Sequence, residues 1–223
     1  MRKMISVFLI LIIALSATAF AYADIELTEN VAFGNELKVN DGIVQPRSGG
    51  SNRLTVPLYQ QPQNSNQCGP TSCRMILAYF GVSKSLTEIK NEMANMADRD
   101  YTHIDSARTM LNRYISGNHY QKYSISTSTT SFSNNLMESI DAGYPVLCHL
   151  NTSALPAYNG MSYYHYVVAT GYMWGQGGTS GGANVVYYND PHYDSRFYGR
   201  FDCSWSQMQS AILNNAGLIL RGV

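Results

Sequence analysis

Charged residues are scarce in this chain. Only 13% of the 223 residues are Asp, Glu, Lys or Arg, and the 15 basic residues equal the 15 acidic ones in number. Proteins that bind nucleic acid through its phosphates usually carry a basic patch and an excess of Lys and Arg. The thin and balanced charge therefore gives no reason to expect a nucleic-acid partner.

Long apolar runs are absent after the N-terminus. There, Ile5 to Leu15 follows the basic pair Arg2-Lys3, and it is shorter than the about 20 residues that a membrane-spanning helix needs. Ala21-Tyr22-Ala23 matches the small-residue pattern of a signal-peptide cleavage site. We therefore expect residues 1–23 to be a signal peptide and the product to be secreted or periplasmic, without stable membrane association after signal removal. A retained membrane anchor is the alternative.

Cysteine is rare as well, with four residues, and no two of them have the C-x2-C spacing of structural zinc sites. The histidines do not cluster with them at ligand spacing, so we expect no metal and no other cofactor. Cysteines in an exported chain commonly form disulfides. At most one bridge remains if one cysteine is a nucleophile. Cys148 with Cys203 is the pair we consider first, although pairing does not follow from sequence.

The chain after the signal has the length of one domain with a sizeable core. Its first part, residues 24–55, has a mixed composition and contains the flexible stretch Arg47–Asn52, so it can be an N-terminal arm, a linker or a short pro-segment. The pattern of a folded domain begins at Val56 and continues to Val223. We expect this domain, residues 56–223, to be a monomer.

Apolar residues recur at helical spacing in the first half of this domain and at strand spacing in the second. The first half predicts a helix from Cys68 to just before Gly81, then helices over 85–98, 105–114 and 133–141, with 121–130 as a loop or edge strand. The second half predicts strands over 146–150, 163–174, 184–188, 196–201 and 218–220, with a short helix over 205–213. Helices followed by an antiparallel sheet indicate an α+β domain with two packed layers and a cleft between them.

The motif Gln67-Cys68-Gly69-Pro70 places a cysteine where an extended segment becomes a helix. Pro70 suits the first helical turn, and Gly81 suits the position after the last one. The free N–H groups and the positive end of the helix dipole then face Cys68, which lowers a thiol pKa and favours the reactive thiolate. A disulfide partner or a buried apolar cysteine is the alternative interpretation.

A nucleophilic cysteine needs a base, and the base needs an orienting group. His165 is the candidate base, because it lies near the start of a predicted strand before a smooth apolar run. A core histidine is the alternative for His165, and the competing histidines are His103, His119, His149 and His192. Asp190 follows the next predicted strand and can orient the imidazole, as in a catalytic triad. Asn189 can serve through its amide oxygen, and an ordinary turn residue is the alternative for Asp190.

The remaining requirement is a pair of donors for the oxyanion of a tetrahedral intermediate. The backbone N–H of Cys68 is one candidate, and a glutamine side chain shortly upstream is the natural second. Glutamines in loops are usually just solvated, so the residues alone do not choose among the candidates. These are Gln60, Gln61, Gln63 and Gln67.

Together these motifs resemble the C39-like branch of the papain-like cysteine peptidases. The resemblance covers roughly residues 56–205 and implies a papain-like α+β fold, with N-terminal helices packed on a C-terminal antiparallel sheet. It implies that Cys68 is the nucleophile, His165 the base and Asp190 the residue that orients it. The matching segments are Val56–Gln61, Cys68–Ser72, Ala142–Val146, His165–Tyr172 and Asn189–Pro191.

Gln61 is the best match to the oxyanion glutamine of this family, since it stands five residues after Val56. Its spacing of seven residues to Cys68 is one longer than is typical of papain-like enzymes, so Gln60 and Gln63 stay open. The resemblance therefore implies Gln61 as a fourth site residue, beside Cys68, His165 and Asp190.

The activity expected from the resemblance is hydrolysis of peptide bonds in a peptide or protein substrate. Acyl transfer or deamidation with the same three residues is one alternative, and a non-catalytic binding module on the same fold is another. The transporter-linked members of the family cleave leader peptides after a double glycine. No transporter is recognised in this sequence, so we do not assume that substrate.

Overall fold

The computed structural model describes residues 50–97, 102–117, 119–175 and 184–223. The predicted signal peptide and most of the segment 24–55 lie outside these residues. Across the described parts of the chain, no helix is both long enough and apolar enough to cross a bilayer.

The helices begin and end close to where the sequence predicts them, because local signals bound them. Gly81 follows the first helix with a φ of 77°, a conformation that glycine adopts without strain. Ser85 caps the second helix, since its N–H donates to the Glu88 carboxylate at 2.8 Å and its hydroxyl accepts from the Glu88 N–H at 3.2 Å. The helices of the first half are α1 (Cys68–Tyr79), α2 (Leu86–Ala97), α3 (Ile104–Tyr114) and α4 (Thr129–Asp141).

The strands form one antiparallel sheet, which confirms the predicted α+β class. They are β1 (Gly50–Arg53), β2 (Tyr120–Ser124), β3 (Val146–Asn151), β4 (Tyr164–Trp174), β5 (Val185–Asp190), β6 (Gly199–Ser204) and β7 (Leu218–Gly222), with α5 (Trp205–Leu213) between the last two. The strand order is β2-β7-β3-β4-β5-β6, and β1 pairs with the later part of β4. β6 begins later than predicted, since residues 195–197 form a turn.

Helices cover both faces of this sheet. Side chains that alternate along β4 enter different cores: Tyr166 and Val168 pack with α1, α2 and α3, whereas Val167 and Ala169 pack with α4 and α5. Both faces are apolar, so each needs a helical layer to remove it from water. The two layers predicted from the order of the elements therefore account for one face only, and α4 and α5 form a third layer.

The segment before residue 56 joins the sheet earlier than expected. Residues 50–52, which the sequence places in a flexible stretch, belong to β1, and Arg53 lies opposite Gly171 of β4. The glycine permits this close approach, because a Cβ at position 171 would stand 2.5 Å from the main-chain oxygen of Asn52. The prediction of a flexible stretch is therefore wrong for residues 50–52.

All four cysteines are free thiols, so the disulfide considered between Cys148 and Cys203 is not formed. The two residues lie on β3 and β6, which are separated by β4 and β5 in the sheet. Three strand spacings amount to about 14 Å, whereas the Cα atoms of a disulfide lie about 4.4–6.8 Å apart. Both cysteines fill the core as small apolar residues instead.

Candidate active site

The candidate nucleophile is the first residue of α1. Cys68 is partly exposed at the wall of a cavity of about 750 Å³. The hydroxyl of Ser72 donates to the main-chain oxygen of Tyr166 at 3.2 Å and holds the first turn of α1 against β4. On another side, Gly69 lies so close to Thr102 that a Cβ at position 69 would be 2.6 Å from the threonine Cβ. These two contacts hold the start of α1, and with it the thiol, in place.

The start of β4 brings His165 to the same cavity. The buried imidazole lies beside the thiol of Cys68 and interacts with it electrostatically. Its Nε2 lies 2.8 Å from Oδ1 of Asp190. Because Nε2 faces the carboxylate, Nδ1 is the ring nitrogen that remains for the thiol. The three side chains singled out in the sequence thus form one continuous series of contacts.

The register of the sheet explains the contact between His165 and Asp190. β4 and β5 are antiparallel neighbours, and Val168 lies opposite Asn189. One step along the ladder, Asp190 faces Val167, whose side chain lies on the same face of β4 as that of His165. Side chains in such a diagonal relation are within reach of one another. The strand pairing therefore positions the carboxylate for the imidazole.

Asn189, the alternative orienting residue, makes other contacts. Its side-chain amide donates to the main-chain oxygens of Val56-Pro57, at 3.1 and 3.3 Å. It thereby holds the segment that leads to α1 and does not hold the imidazole. The N–H of Gln61 donates to the main-chain oxygen of Pro191 at 2.7 Å. The same segment is thus tied to residues on both sides of Asp190.

Tyr158 is a member of this site that sequence reasoning missed. It ends the short 3-10 helix Pro156–Tyr158, and its hydroxyl donates to Oδ2 of Asp190 at 2.8 Å. The main-chain N–H of His192 donates to Oδ1 of the same carboxylate at 2.9 Å. With His165, the fully buried Asp190 has three hydrogen-bond partners. No motif or periodicity distinguishes this tyrosine among the 17 of the chain, so the sequence carried no signal for it.

The electrostatics favour a thiolate beside an imidazolium. Burial alone raises the pKa of Cys68, but the hydrogen bond and positive charge of His165 outweigh it, and the pKa of the thiol is lowered. Burial alone lowers the pKa of His165, but the charge and hydrogen bond of Asp190 outweigh it, and the pKa of the imidazole is raised. The lowered pKa of Cys68 and the raised pKa of His165 both favour the thiolate–imidazolium pair, which is the reactive form of a thiol nucleophile.

Among the upstream glutamines, Gln61 shares the cavity wall with Cys68 and His165. Its side chain is only 6% exposed, and its Oε1 has no hydrogen-bond partner among the described residues. The unpaired oxygen can accept from a ligand N–H, whereas an oxyanion needs the Nε2 group of the same amide as its donor. The other three candidates lie outside the wall of this cavity: Gln60, Gln63 and Gln67.

The competing histidines differ from His165 in their contacts. Three of them line the same cavity, namely His103, His149 and His192, whereas the ring of His119 lies 2.6 Å from the main-chain oxygen of Val223. In the described part of the chain, none of these lies beside both a thiol and a buried carboxylate, as His165 does. The described residues also contain no group of His, Cys, Asp and Glu side chains placed to hold a metal ion.

Comparison with known proteins bears on the fold and the family. The chain is similar to a solved protein from Bacillus anthracis assigned to the C39-like peptidases, with 20% identity over 78% of this chain and 98% of that one and a TM-score of 0.53, which supports the fold. It is also similar to a double glycine motif protease from an AMS/PCAT transporter, solved with a leader peptide, with 17% identity over 77% of this chain and 95% of that one and a TM-score of 0.47.

A third similarity is to the peptidase domain of Streptococcus ComA, with 20% identity over 74% of this chain and 98% of that one and a TM-score of 0.42. No curated protein matches the sequence. The model of the Peptidase_C39 like family matches residues 53–212, which is most of the chain and includes all four candidate site residues. The chain therefore belongs to the Peptidase_C39 like family.

Proposed function

We propose that this protein is a cysteine peptidase that hydrolyses peptide bonds, with Cys68 as nucleophile, His165 as base and Asp190 as the residue that orients the base. The observation that carries the proposal is the series of contacts from the thiol to the imidazole and on to the buried carboxylate, beside an open cavity. Membership of a peptidase family supports the same activity.

The proposed reaction begins when the Cys68 thiolate attacks the carbonyl carbon of the scissile peptide bond. The oxyanion that forms accepts hydrogen bonds from the backbone N–H of Cys68 and from the side-chain amide of Gln61. The His165 imidazolium then gives its proton to the leaving amine, and an acyl-enzyme remains. His165 next takes a proton from water, the resulting hydroxide attacks the acyl carbon, and the C–S bond breaks to restore the thiolate.

The test compares the chain that starts at Asp24 with its Cys68→Ala variant on a diverse peptide mixture, read by mass spectrometry. We expect new peptide ends from the parent protein alone, because alanine lacks the attacking sulfur. Cleavage that persists in the Cys68→Ala variant would refute the mechanism. Intact peptides that gain about one mass unit would instead identify deamidation, since the same thiolate can attack a side-chain amide.

We also propose that the protein acts in the periplasm or outside the cell, after removal of residues 1–23. The support is the basic pair, the short apolar run and the Ala-x-Ala motif at the N-terminus. N-terminal sequencing of the protein recovered from each cell fraction tests it. An exported protein that begins at Asp24 is the expected result, and full-length protein retained in the cytoplasm would contradict it.

A further inference from the structure

The cavity that opens on Cys68 has few charged groups in its wall beyond the reactive Cys68–His165 pair. Within the described residues, no Asp, Glu, Lys or Arg side chain lines it, and histidine is the sole titratable type there besides tyrosine and the cysteine itself. The nearby charged pair Asp194 and Arg196 lies outside the wall, and its members bind each other at 2.6 Å. A charged side chain that entered the cavity away from the Cys68–His165 pair would lose its hydration without meeting an Asp, Glu, Lys or Arg side chain of opposite charge in the described part of the wall.

Part of the cavity wall offers neutral hydrogen-bonding groups. His149 stacks on Tyr166, with ring centroids 4.4 Å apart and planes inclined by 8°. Burial lowers the pKa of His149 to about 4, so its imidazole is uncharged at neutral pH. Nδ1 of His149 and Nδ2 of Asn215 have no hydrogen-bond partners among the described residues. Both residues line the cavity, and a peptide backbone carries neutral groups that can complement them.

Another part of the wall carries exposed aromatic rings, which we call the tyrosine rim and define as Tyr163, Tyr164 and Tyr193. They are 46%, 75% and 37% exposed, and all three line the cavity. The rings of Tyr163 and Tyr193 lie 5.9 and 4.5 Å from the ring of His192, which itself lies 5.6 Å from that of His165. Exposed aromatic surface of this kind commonly marks a binding site, since the rings provide large contact area beside a polar hydroxyl.

From these two parts of the wall we infer that the cavity binds an uncharged stretch of peptide, with an aromatic or aliphatic side chain against the tyrosine rim. The inference rests on the proposed function, because it names the substrate class of the same site. It assigns the tyrosine rim the role of selecting the substrate, while Cys68 and His165 carry out the reaction. Asp, Glu, Lys and Arg are expected to be disfavoured in the peptide positions that enter the cavity.

The experiment uses immobilised Cys68→Ala protein and a synthetic peptide library with six randomised positions, so that binding is read without cleavage. Retained peptides are sequenced by mass spectrometry. We expect Tyr, Phe and Leu to be enriched about fivefold at one position or more, as the packing energy of aromatic pairs implies, and the four charged residues to be depleted. Adding Tyr163→Ala and Tyr193→Ala removes the aromatic enrichment, because the rings that the side chain contacts are gone.

The matched control adds Met173→Ala, which truncates another exposed apolar side chain at 40% exposure on β4, outside the cavity wall. It is expected to leave the enrichment unchanged. The inference is overturned if charged peptides are retained equally, if the double tyrosine variant keeps the preference, or if no peptide is retained. Failure of the proposed function has a different signature: peptides are retained with the expected preference, but the parent protein with Cys68 does not cleave them.

Discussion

The hydroxyl of Tyr158 donates a hydrogen bond of 2.8 Å to the carboxylate oxygen of Asp190 that does not face the imidazole. Burial and the neighbouring carboxylate raise the pKa of Tyr158, so the hydroxyl keeps its proton and remains a donor. The tyrosine ring stacks on Phe197 with centroids 4.6 Å apart. A residue outside the predicted triad therefore holds the carboxylate in the orientation that serves His165.

Replacing this tyrosine by phenylalanine isolates the hydrogen bond. Tyr158→Phe keeps the stacked ring but leaves a buried carboxylate oxygen without its donor, a loss of about 1.5–3 kcal/mol for a bond to a charged group. We expect kcat to fall about tenfold or more with little change in KM, because Tyr158 acts through Asp190 and does not contact substrate. Steady-state kinetics across pH measure this. The alkaline limb of the pH profile reports the pKa of His165. If kcat and this limb are both unchanged in Tyr158→Phe, the tyrosine contributes packing only.

The pH dependence follows from the two opposite pKa shifts. The reactive ion pair requires Cys68 to have lost its proton and His165 to have kept it. Activity should rise as pH increases through the lowered pKa of Cys68 and fall as pH increases through the raised pKa of His165. We therefore expect kcat/KM to show a plateau between an acidic limb below the ordinary thiol pKa of 9.0 and an alkaline limb near pH 10.

The variant Asp190→Asn tests the cause of these shifts. Without the carboxylate, the pKa of His165 drops. An imidazole that is protonated less readily also lowers the pKa of Cys68 less. In Asp190→Asn, the acidic limb of the kcat/KM profile should move to higher pH and the alkaline limb to lower pH, so the plateau narrows. The value of kcat/KM on the plateau should also fall. A profile of unchanged width would show that Asp190 does not set the protonation of the pair.

Thiol reactivity should single out one of the four cysteines. Cys68 is partly exposed and has a lowered pKa, whereas burial raises the pKa of Cys73 and raises those of Cys148 and Cys203 to about 12. Brief treatment of the folded protein with iodoacetamide near neutral pH should label Cys68 alone. Peptide mapping by mass spectrometry reads the result. Protein unfolded in guanidinium is the control and should label at all four cysteines.

Three glutamine variants distinguish the candidates for the oxyanion donor. Gln61→Ala should lower kcat by about 10²–10³-fold, the usual cost of removing one such donor. Gln60→Ala and Gln63→Ala remove exposed side chains outside the cavity wall and should stay close to the parent protein. Equal losses in all three variants, or a loss confined to Gln63→Ala, would reject Gln61 as the donor.

The sequence predicted those parts of the molecule that depend on local chemistry. The capping pair Ser85 and Glu88 and the glycine at position 81 bound helices within a few residues of the expected limits. The choice of Cys68, His165 and Asp190 relied on motifs at strand and helix ends, and these three side chains lie together. Their catalytic roles remain predictions until the variants above are measured.

The features that the sequence did not predict depend on long-range packing. Tyr158 meets Asp190 across 32 residues, and nothing near either residue in the sequence reports that contact. β1 was missed because Gly50–Arg53 lacks apolar alternation and is held by long-range contacts, namely its pairing with β4 and the hydrogen bonds of Asn52 to the end of α4. The third layer was missed because the order of elements does not say which face of a sheet a later helix will cover.

The ties between the segment at Val56–Gln61 and the end of β5 also bear on how the protein folds. Asn189 bonds to Val56 across 133 residues, and Gln61 bonds to Pro191 over a similar separation. Contacts between residues so distant in sequence form late, because closing a long loop costs chain entropy before the contact repays it. On refolding, the helical circular dichroism signal should therefore recover before Cys68 regains its fast reaction with iodoacetamide. A newly synthesised chain would then pass through a compact stage in which the Cys68 site cannot yet cleave other proteins nearby.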